Sequence, residues 1–165
     1  MALLPKLVVI SGASRGIGLG FGRELLRRSG ESTIVAASRA GMSPGLEALR
    51  AEYGSDRVIP MACDITSQEQ CKQMAAKIKA DLGGQKIDML LNVAGVLHEQ
   101  GTSGLMPERS LSSIDADAMQ RVITTNAIGP VLVTQALAPQ FAKKARIGNV
   151  SARVGSISNN RLGGW

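Results

Sequence analysis

The sequence predicts an α/β protein with a doubly wound parallel sheet and helices on both faces, giving three layers. Short apolar runs alternate along the 165 residues with longer segments of helical periodicity. The runs are continuously apolar, which is typical of parallel strands buried on both faces. A glycine-rich turn follows the first run directly. We expect a single domain over residues 1–165 with about five strands.

Five apolar runs predict the strands, at residues 6–11, 33–37, 57–62, 87–91 and 147–150. The third run contains Pro60, which has no N–H and must lie where no ladder donor is needed. Because the crossovers between parallel strands are right-handed, ligands are expected at the carboxyl ends of the strands.

Four helices are predicted between these strands. Ile17, Phe21 and Leu25, spaced by four, predict the first over about 16–29. Ser43 and Pro44 begin the second, whose apolar stripe includes Tyr53. The third begins at Thr66 or Ser67 and ends at Gly83-Gly84, and the fourth runs from Asp115 to about Ala142, after a polar loop over 95–113.

The composition limits the classes of function. Of the residues, 44% are hydrophobic and 19% are charged, as in globular proteins. The net charge of +6 is divided equally between the two halves, and only 2% of residues are aromatic. We therefore expect an anionic small ligand and no nucleic acid. A basic protein that binds a nucleic-acid duplex is the alternative interpretation of this charge. No apolar run approaches the roughly 20 residues of a membrane span, so no membrane partner is expected.

The cysteines give a further expectation. Cys63 and Cys71 match no metal-binding spacing, so no metal site is predicted. Two cysteines do not form a disulfide framework, and a reducing, cytoplasmic location fits them best. No signal peptide is predicted.

The first candidate site is the turn Ser11-Gly12-Ala13-Ser14-Arg15-Gly16-Ile17-Gly18. Gly12 permits a tight turn, and Gly18 lets the helix lie close to the sheet. Gly16 leaves room for a pyrophosphate at the helix N-terminus, where N–H groups and the helix dipole attract anions. The spacing differs from G-x-G-x-x-G, and an ordinary glycine-rich turn is the alternative.

A second candidate is Ser38-Arg39 after the second strand. An acidic residue there would bind a ribose 2′-hydroxyl, and none is present. Ser38 and Arg39, with Arg15 as a second cation, suit a 2′-phosphate instead, so NADP(H) is favoured over NAD(H). The alternative is a solvated arginine.

Two further segments follow the third and fourth strands. In Cys63-Asp64-Ile65, the carboxylate of Asp64 could accept from an adenine amino group, or it could cap the next helix. In Asn92-Val93-Ala94-Gly95, small residues would let the backbone pass against a cofactor, and Asn92 could tie neighbouring strands; a plain turn is the alternative.

Asn126 precedes Pro130 by four residues. Because proline has no N–H and crowds the carbonyl at i−4, the helix should kink and the Asn126 carbonyl should lose its helical partner. A carbonyl at a kink could hold a water, or the kink could merely wrap the helix around the sheet.

Together these motifs resemble the short-chain dehydrogenase/reductase family, over essentially the whole chain. The match rests on Gly12, Gly16 and Gly18, Asp64, the Asn92–Gly95 segment and Asn126, in that order. The tail with Gly163-Gly164-Trp165 is similar to sniffer-type and C-factor-type carbonyl reductases and their plant relatives. Val93 departs from a frequent second asparagine.

The resemblance implies a Rossmann-like fold and NADP(H)-dependent hydride transfer between nicotinamide and a small carbonyl or alcohol substrate, in a homo-oligomer. It implies a proton relay through a water at Asn126, and a catalytic serine after strand five. Ser151 is chosen there, with Ser156 and Ser158 as alternatives. The implied cofactor-binding residues are Gly12, Ser14, Arg15, Gly16, Ile17, Gly18, Ser38, Arg39, Asp64, Ile65, Asn92, Ala94 and Gly95.

The family's acid/base pair, Tyr-x-x-x-Lys, does not occur in this sequence, whose single tyrosine is Tyr53. In the relatives the pair would follow Trp165, so we expect a C-terminally truncated domain that lacks the catalytic and substrate part. Such a chain should be poorly stable and nearly inactive. The alternative is a non-enzymatic dinucleotide-binding module that senses redox state or binds a protein partner.

Overall fold

The computed structural model describes residues 4–97 and 110–159. Most of the predicted polar loop and the Gly163-Gly164-Trp165 tail lie outside these residues. Five parallel strands form one sheet in the order β3-β2-β1-β4-β5. The strands are β1 Leu7–Ser11, β2 Thr33–Ser38, β3 Val58–Ala62, β4 Ile87–Asn92 and β5 Phe141–Asn149. The helices are α1 Gly16–Arg28, α2 Pro44–Tyr53, α3 Gln68–Asp81, α4 Ala116–Ile123 and α5 Gly129–Leu137.

Two hydrophobic clusters lie on opposite faces of the sheet, because successive side chains of a strand point to opposite sides. Leu7 and Val9 of β1 pack with residues of α3 and α5. Val8 and Ile10 pack with residues of α1 and α2. The predicted doubly wound, three-layer Rossmann-like fold is confirmed.

Helix α1 forms where the sequence predicts it, but it buries a different face from the one that its large apolar residues suggest. The buried positions are Gly18, Gly22 and Leu26, whereas Ile17 and Phe21 are 63% and 41% exposed. A Cβ on Gly22 would lie 3.7 Å from the Ile34 side chain. The face with Gly18 and Gly22 therefore approaches the sheet, and Ile17 and Phe21 turn outward.

The fourth predicted helix is divided and ends earlier than Ala142. A π turn over Thr124–Ile128 separates α4 from α5, and a 3₁₀ turn over Ala138–Gln140 ends the helical segment. β5 then begins at Phe141, so Lys143 and Lys144 belong to a strand. This strand is an edge of the described sheet, where lysines are common because they discourage pairing with other chains.

Pro60 lies in β3, the other edge strand of the described sheet, as its missing N–H requires. The helical segment Ala116–Gln140 is long and apolar enough to cross a membrane by length and composition alone, which the sequence reading did not anticipate. Core helices meet the same criterion. Val133 and Leu137 of this segment are fully buried in the cluster that covers the sheet.

We predict opposite effects from two glycine substitutions in α1. A Cβ at Gly18 would collide with the carbonyl of Gly12, whereas a Cβ at Gly20 meets open space. Gly18→Ala should lower the free energy of unfolding by about 1–3 kcal/mol, as overpacking does. Gly20→Ala should raise it by up to about 1 kcal/mol, because alanine favours helix. Urea unfolding of both variants checks this, and equal effects would contradict the close helix approach.

Candidate nucleotide and catalytic site

The parallel strands bring their carboxyl ends to one side of the molecule, which we call the carboxyl edge. Ser11 of β1 pairs with Asn92 of β4, which pairs in turn with Asn149 of β5. The carboxyl edge comprises the segments 11–18, 38–41, 62–67, 92–97 and 149–151. With Asn126 of the π turn, it contains every predicted site residue.

The glycine-rich turn is held by backbone contacts that leave no room for side chains. Gly12 has φ +76°, and a Cβ there would lie 2.6 Å from the amide nitrogen of Ala94. The N–H groups of Gly12 and Ala13 both donate to the carbonyl of Ala37, at 2.9 and 3.2 Å. The turn after β1 is therefore fixed between the ends of β2 and β4.

The N-terminus of α1 is not capped by a side chain. Its N-cap residue is Arg15, and its first turn carries no acidic residue. The helices α2, α3 and α4 are capped instead by the side chains of Ser43, Ser67 and Asp115. The first-turn N–H groups of α1 thus remain without a side-chain acceptor, which is the arrangement that binds phosphate at a helix N-terminus.

The surroundings of this helix terminus are open. Gly16 has φ +56°, and a Cβ on it would meet nothing within 4 Å. Arg15 and Ile17 are exposed on either side of it. The Ser14 carbonyl accepts from the Ser43 hydroxyl at 2.9 Å, which fixes the backbone just before the helix.

The end of β2 places Ser38 and Arg39 at the carboxyl edge. Ser38 is buried, and its hydroxyl donates to the carbonyl of Gly41 at 3.1 Å. Arg39 is exposed, and its positive charge contributes to lowering the pKa of Asp64. The predicted 2′-phosphate residues therefore lie beside the predicted adenine-binding carboxylate.

Asp64 closes a turn ahead of α3. Its Oδ1 accepts from the N–H and the hydroxyl of Thr66, at 2.9 and 2.7 Å. These two bonds, more than the charge of Arg39, hold the pKa of Asp64 below its ordinary value. The N-cap of α3 is Ser67, so the alternative in which Asp64 caps this helix is wrong: its carboxylate closes the turn that precedes the helix.

The side chain of Ile65 lies in the core. It is 6% exposed, and its Cδ1 would be 2.6 Å from a Cβ on Gly129. Only the main chain of Ile65 is therefore positioned to meet a ligand at the carboxyl edge.

Asn92 ties three strand ends together, as the sequence suggested it could. Its Nδ2 donates to Oδ1 of Asn149 at 2.8 Å, and its Oδ1 accepts from the Ser11 hydroxyl at 3.5 Å. Because Asn92 is only 2% exposed, these bonds satisfy polar atoms that water does not reach. Its Nδ2 also approaches the hydroxyl of Thr134 on α5, at 3.4 Å.

The side chain of Asn126 clamps the segment after β4. Its Oδ1 accepts from the Val96 N–H and its Nδ2 donates to the Val96 carbonyl, both at 2.7 Å. A Cβ on Gly95 would lie 3.2 Å from Asn126 Oδ1, so the glycine permits this approach. The sequence predicted a role only for the main-chain carbonyl of Asn126; the clamp carries no local signal, because its partner is 30 residues distant.

A cavity of about 1240 Å³ lies between the ends of β4 and β5 and the π turn. Its lining includes the predicted residues Asn92, Ala94, Gly95, Asn126 and Ser151. The alternative serines, Ser156 and Ser158, bond to each other at 2.9 Å and do not line it. Among the three candidates, only Ser151 lines this cavity.

Tyr53 lies away from the cavity. It ends α2, packs against the cluster of α1 and α2, and has the Arg57 guanidinium 5.8 Å from its ring centroid. A hydrogen bond with Glu52 raises the pKa of Tyr53, the opposite of what an activated acid/base tyrosine needs. No group of three or more potential metal ligands occurs among the described residues.

Comparison with known proteins gives the family. The short chain dehydrogenase family model matches residues 6–163. A 1-hydroxy-2-glutathionyl-2-methyl-3-butene dehydrogenase of Rhodococcus sp. is 31% identical over 157 residues, covering 95% of this chain and 61% of its own. The chain belongs to the short-chain dehydrogenase/reductase family.

Solved structures agree with this assignment. The NADPH-bound carbonyl reductase from chicken fatty liver has a TM-score of 0.81 and 26% identity, over 98% of this chain and 62% of that one. The carbonyl reductase Sniffer of D. melanogaster has a TM-score of 0.83 and 21% identity, over 96% and 66%, which is a likeness of fold. The chain thus spans about three fifths of the length of these two relatives, which are aligned with nearly all of it.

We predict that Asn126→Ala releases the segment after β4. Losing both bonds to Val96 should cost about 1–2 kcal/mol, because two main-chain groups lose their partner. The Val96 amide should exchange with deuterium faster. Gln120→Ala, on the exposed face of α4, is the control. Unchanged protection of Val96 would contradict the clamp.

The Asp64 turn gives a pH prediction. Because the pKa of Asp64 is lowered on folding, its charge stabilises the fold above the unfolded pKa, and this contribution disappears as pH falls through the folded pKa. The stability difference between the parent and Asp64→Asn should therefore be largest near about pH 7 and shrink below about pH 4. Urea unfolding across this range measures it. The stability of Thr66→Val, which loses one donor to Asp64, should lie between those of the parent and Asp64→Asn. A stability difference that does not change with pH would refute the lowered pKa of Asp64.

Proposed function

We propose that this chain binds NADP(H) at its carboxyl edge and belongs to an oxidoreductase that transfers hydride between nicotinamide and a carbonyl or alcohol substrate. The observation that carries the proposal is the uncapped N-terminus of α1, beside a glycine turn with open space at Gly16. The NADPH named for the chicken carbonyl reductase supports the choice of cofactor.

The pyrophosphate would lie against the N-terminus of α1. The N–H groups of its first turn would donate to the phosphate oxygens, and the positive end of the helix dipole would attract their charge. Arg15, exposed at the N-cap, would supply a cation. The proposed pyrophosphate set is Gly12, Ser14, Arg15, Gly16, Ile17 and Gly18.

The adenosine end would lie along the ends of β2, β3 and β4. Arg39 would pair with a 2′-phosphate, assisted by Ser38, whose hydroxyl would turn from the Gly41 carbonyl to donate to a phosphate oxygen. Asp64 would accept from the adenine amino group through oxygen capacity beyond its bonds to Thr66. The main chain at Ile65, together with Asn92, Ala94 and Gly95, would border the adenosine.

The cavity beside Asn126 and Ser151 would hold the substrate. The cofactor, when bound, supplies the hydride. The Ser151 hydroxyl would donate to the carbonyl oxygen and stabilise the negative charge that grows there. Asn126 fixes the cavity wall through Val96, and its main-chain carbonyl, which Pro130 cannot satisfy, would hold a water for proton transfer.

Turnover by this chain alone should be slow. Tyr53 is not positioned as the acid, and the sequence contains no Tyr-x-x-x-Lys. A positioned general acid is worth roughly 10²–10⁴ in rate. We propose that the chain is the NADP-binding domain of a cytoplasmic, homo-oligomeric enzyme.

We predict that the chain binds NADPH more tightly than NADH, and that Arg39→Glu removes this preference. A carboxylate at this position repels a 2′-phosphate, so NADPH affinity should fall by roughly tenfold or more while NADH affinity changes little. Isothermal titration of both cofactors measures the two dissociation constants. Lys144→Glu, an equal charge reversal at an exposed position of the edge strand β5, is the control.

Three results would oppose these proposals. Equal affinity for both cofactors in the parent chain would refute the 2′-phosphate site. Failure to bind either cofactor by a folded chain would refute the dinucleotide site altogether. Rapid NADPH oxidation with a carbonyl substrate would contradict the expected slow turnover.

A further inference from the structure

Two buried thiols lie side by side beneath the carboxyl edge, outside the proposed cofactor and substrate contacts. Cys63 directly follows β3, and Cys71 lies in the first turn of α3. Their sulfur atoms are 4.0 Å apart, and the residues are 1% and 0% exposed. The pair is therefore held together by the fold itself.

The two sulfurs are not equivalent. The Cys63 thiol donates a hydrogen bond to Cys71 Sγ, which raises the pKa of Cys63 and lowers that of Cys71. Cys71 Sγ also lies 3.7 Å from the carbonyl of Ile65. Because the thiolate is the nucleophilic form, this difference favours Cys71 as the sulfur that attacks an oxidant.

We propose that Cys63 and Cys71 form a reversible oxidation site, at which hydrogen peroxide converts the pair into an intramolecular disulfide that weakens cofactor binding at the carboxyl edge. The part that concerns the cofactor rests on the proposed function.

The chemistry balances in two steps. The Cys71 thiolate attacks one peroxide oxygen, the O–O bond breaks, and hydroxide leaves and takes up a proton, giving water and Cys71 sulfenic acid. The Cys63 sulfur then attacks the Cys71 sulfur, the S–O bond breaks, and a second water leaves with the Cys63 proton. Two thiols are oxidised to one disulfide, and one peroxide is reduced to two waters.

Burial selects the oxidant. Both cysteines are closed even to a water-sized molecule, so an oxidant must enter when the chain opens locally. Hydrogen peroxide, with only two heavy atoms, needs a smaller opening than a bulky disulfide reagent. Forming the bond shortens the sulfur separation from 4.0 Å to about 2 Å, which requires a small movement of the first turn of α3 toward the end of β3.

That movement would act on the carboxyl edge. The Cys63 N–H donates to the Ser38 carbonyl at 2.9 Å, and the neighbouring Asp64 N–H donates to Oε1 of Gln70 on α3 at 2.8 Å. The Asp64–Thr66 turn lies between the two sulfurs in the chain. Drawing α3 toward β3 therefore displaces the carboxylate beside Arg39.

Peptide mass decides whether the disulfide forms. The reduced full chain is treated with a few equivalents of hydrogen peroxide, alkylated in denaturant and digested with trypsin. Both cysteines fall in one peptide, residues 58–72, since no lysine or arginine lies between Arg57 and Lys72. We expect this peptide to be two hydrogens lighter and unalkylated, with both alkylation sites restored by dithiothreitol. Two alkylated thiols, a sulfinic acid or a link between two chains would overturn the proposal.

Single variants test the order of reaction. Cys63→Ser should accumulate Cys71 sulfenic acid, which dimedone traps when it is added in denaturant after the peroxide, whereas Cys71→Ser should give little trapping at Cys63. Strong trapping at Cys63 alone would overturn the assignment of Cys71 as nucleophile. The mass of the parent peptide decides the disulfide itself even if a variant does not fold.

NADPH titration of the reduced and oxidised chain tests the coupling. Oxidation should weaken binding by roughly threefold or more, reversibly with dithiothreitol, and peroxide should not change binding by Cys71→Ser. Equal affinity of the reduced and oxidised parent overturns the coupling. If the reduced chain binds no NADPH, the proposed cofactor site fails, while the peptide mass still decides the disulfide.

Discussion

The structure depends on a line of close approaches that only glycine allows. Gly18 brings α1 against the carbonyl of Gly12, Gly12 brings the first turn against Ala94, and Gly95 lies against the Asn126 side chain. A side chain at Gly12 or Gly18 would push two elements apart, because well-packed backbones do not yield by an ångström without cost, whereas one at Gly95 would press on the Asn126 amide at 3.2 Å. The phosphate end and the cavity end of the site are therefore parts of one rigid unit, in which a change at α1 is felt beside β4.

Side-chain hydrogen bonds join the elements of the site where their backbones are not in direct contact. Asn92 joins β4 to the ends of β1 and β5, and Asn126 joins the π turn to Val96. Both are amides, which donate and accept at once and so satisfy two neighbours from one side chain. The first-turn N–H groups of α1, which no side chain caps, are the contrasting case. The amides of Asn92 and Asn126 thus have their partners within the protein, whereas the N-terminus of α1 has no side-chain acceptor.

The sequence predicted those parts of the fold that depend on local pattern. Continuous apolar runs identified all five strands, and Ser43 and Ser67 marked helix starts correctly. It predicted the structure less well where contacts between distant residues determine it. The charged residues Lys143 and Lys144 hid the start of β5, because an edge strand does not need an apolar run. Large residues in α1 suggested the wrong buried face, since close helix–sheet contact favours glycine over side-chain volume. The Asn126–Val96 clamp carries no local signal at all.

The π turn explains why the Ile65 side chain is buried in the core while the Asn126 side chain reaches the cavity wall. Pro130 cannot donate to the Asn126 carbonyl, and the chain adds a residue to the turn, with the Gly129 N–H donating to the Thr124 carbonyl. Directly after the turn, Gly129 lets α5 descend onto Ile65, which buries that side chain and removes it from the carboxyl edge. Within the turn, the side chain of Asn126 reaches the segment after β4 instead. One proline and one glycine thus direct one side of the helix into the core and the other toward the cavity, and this division gives the cavity a fixed wall.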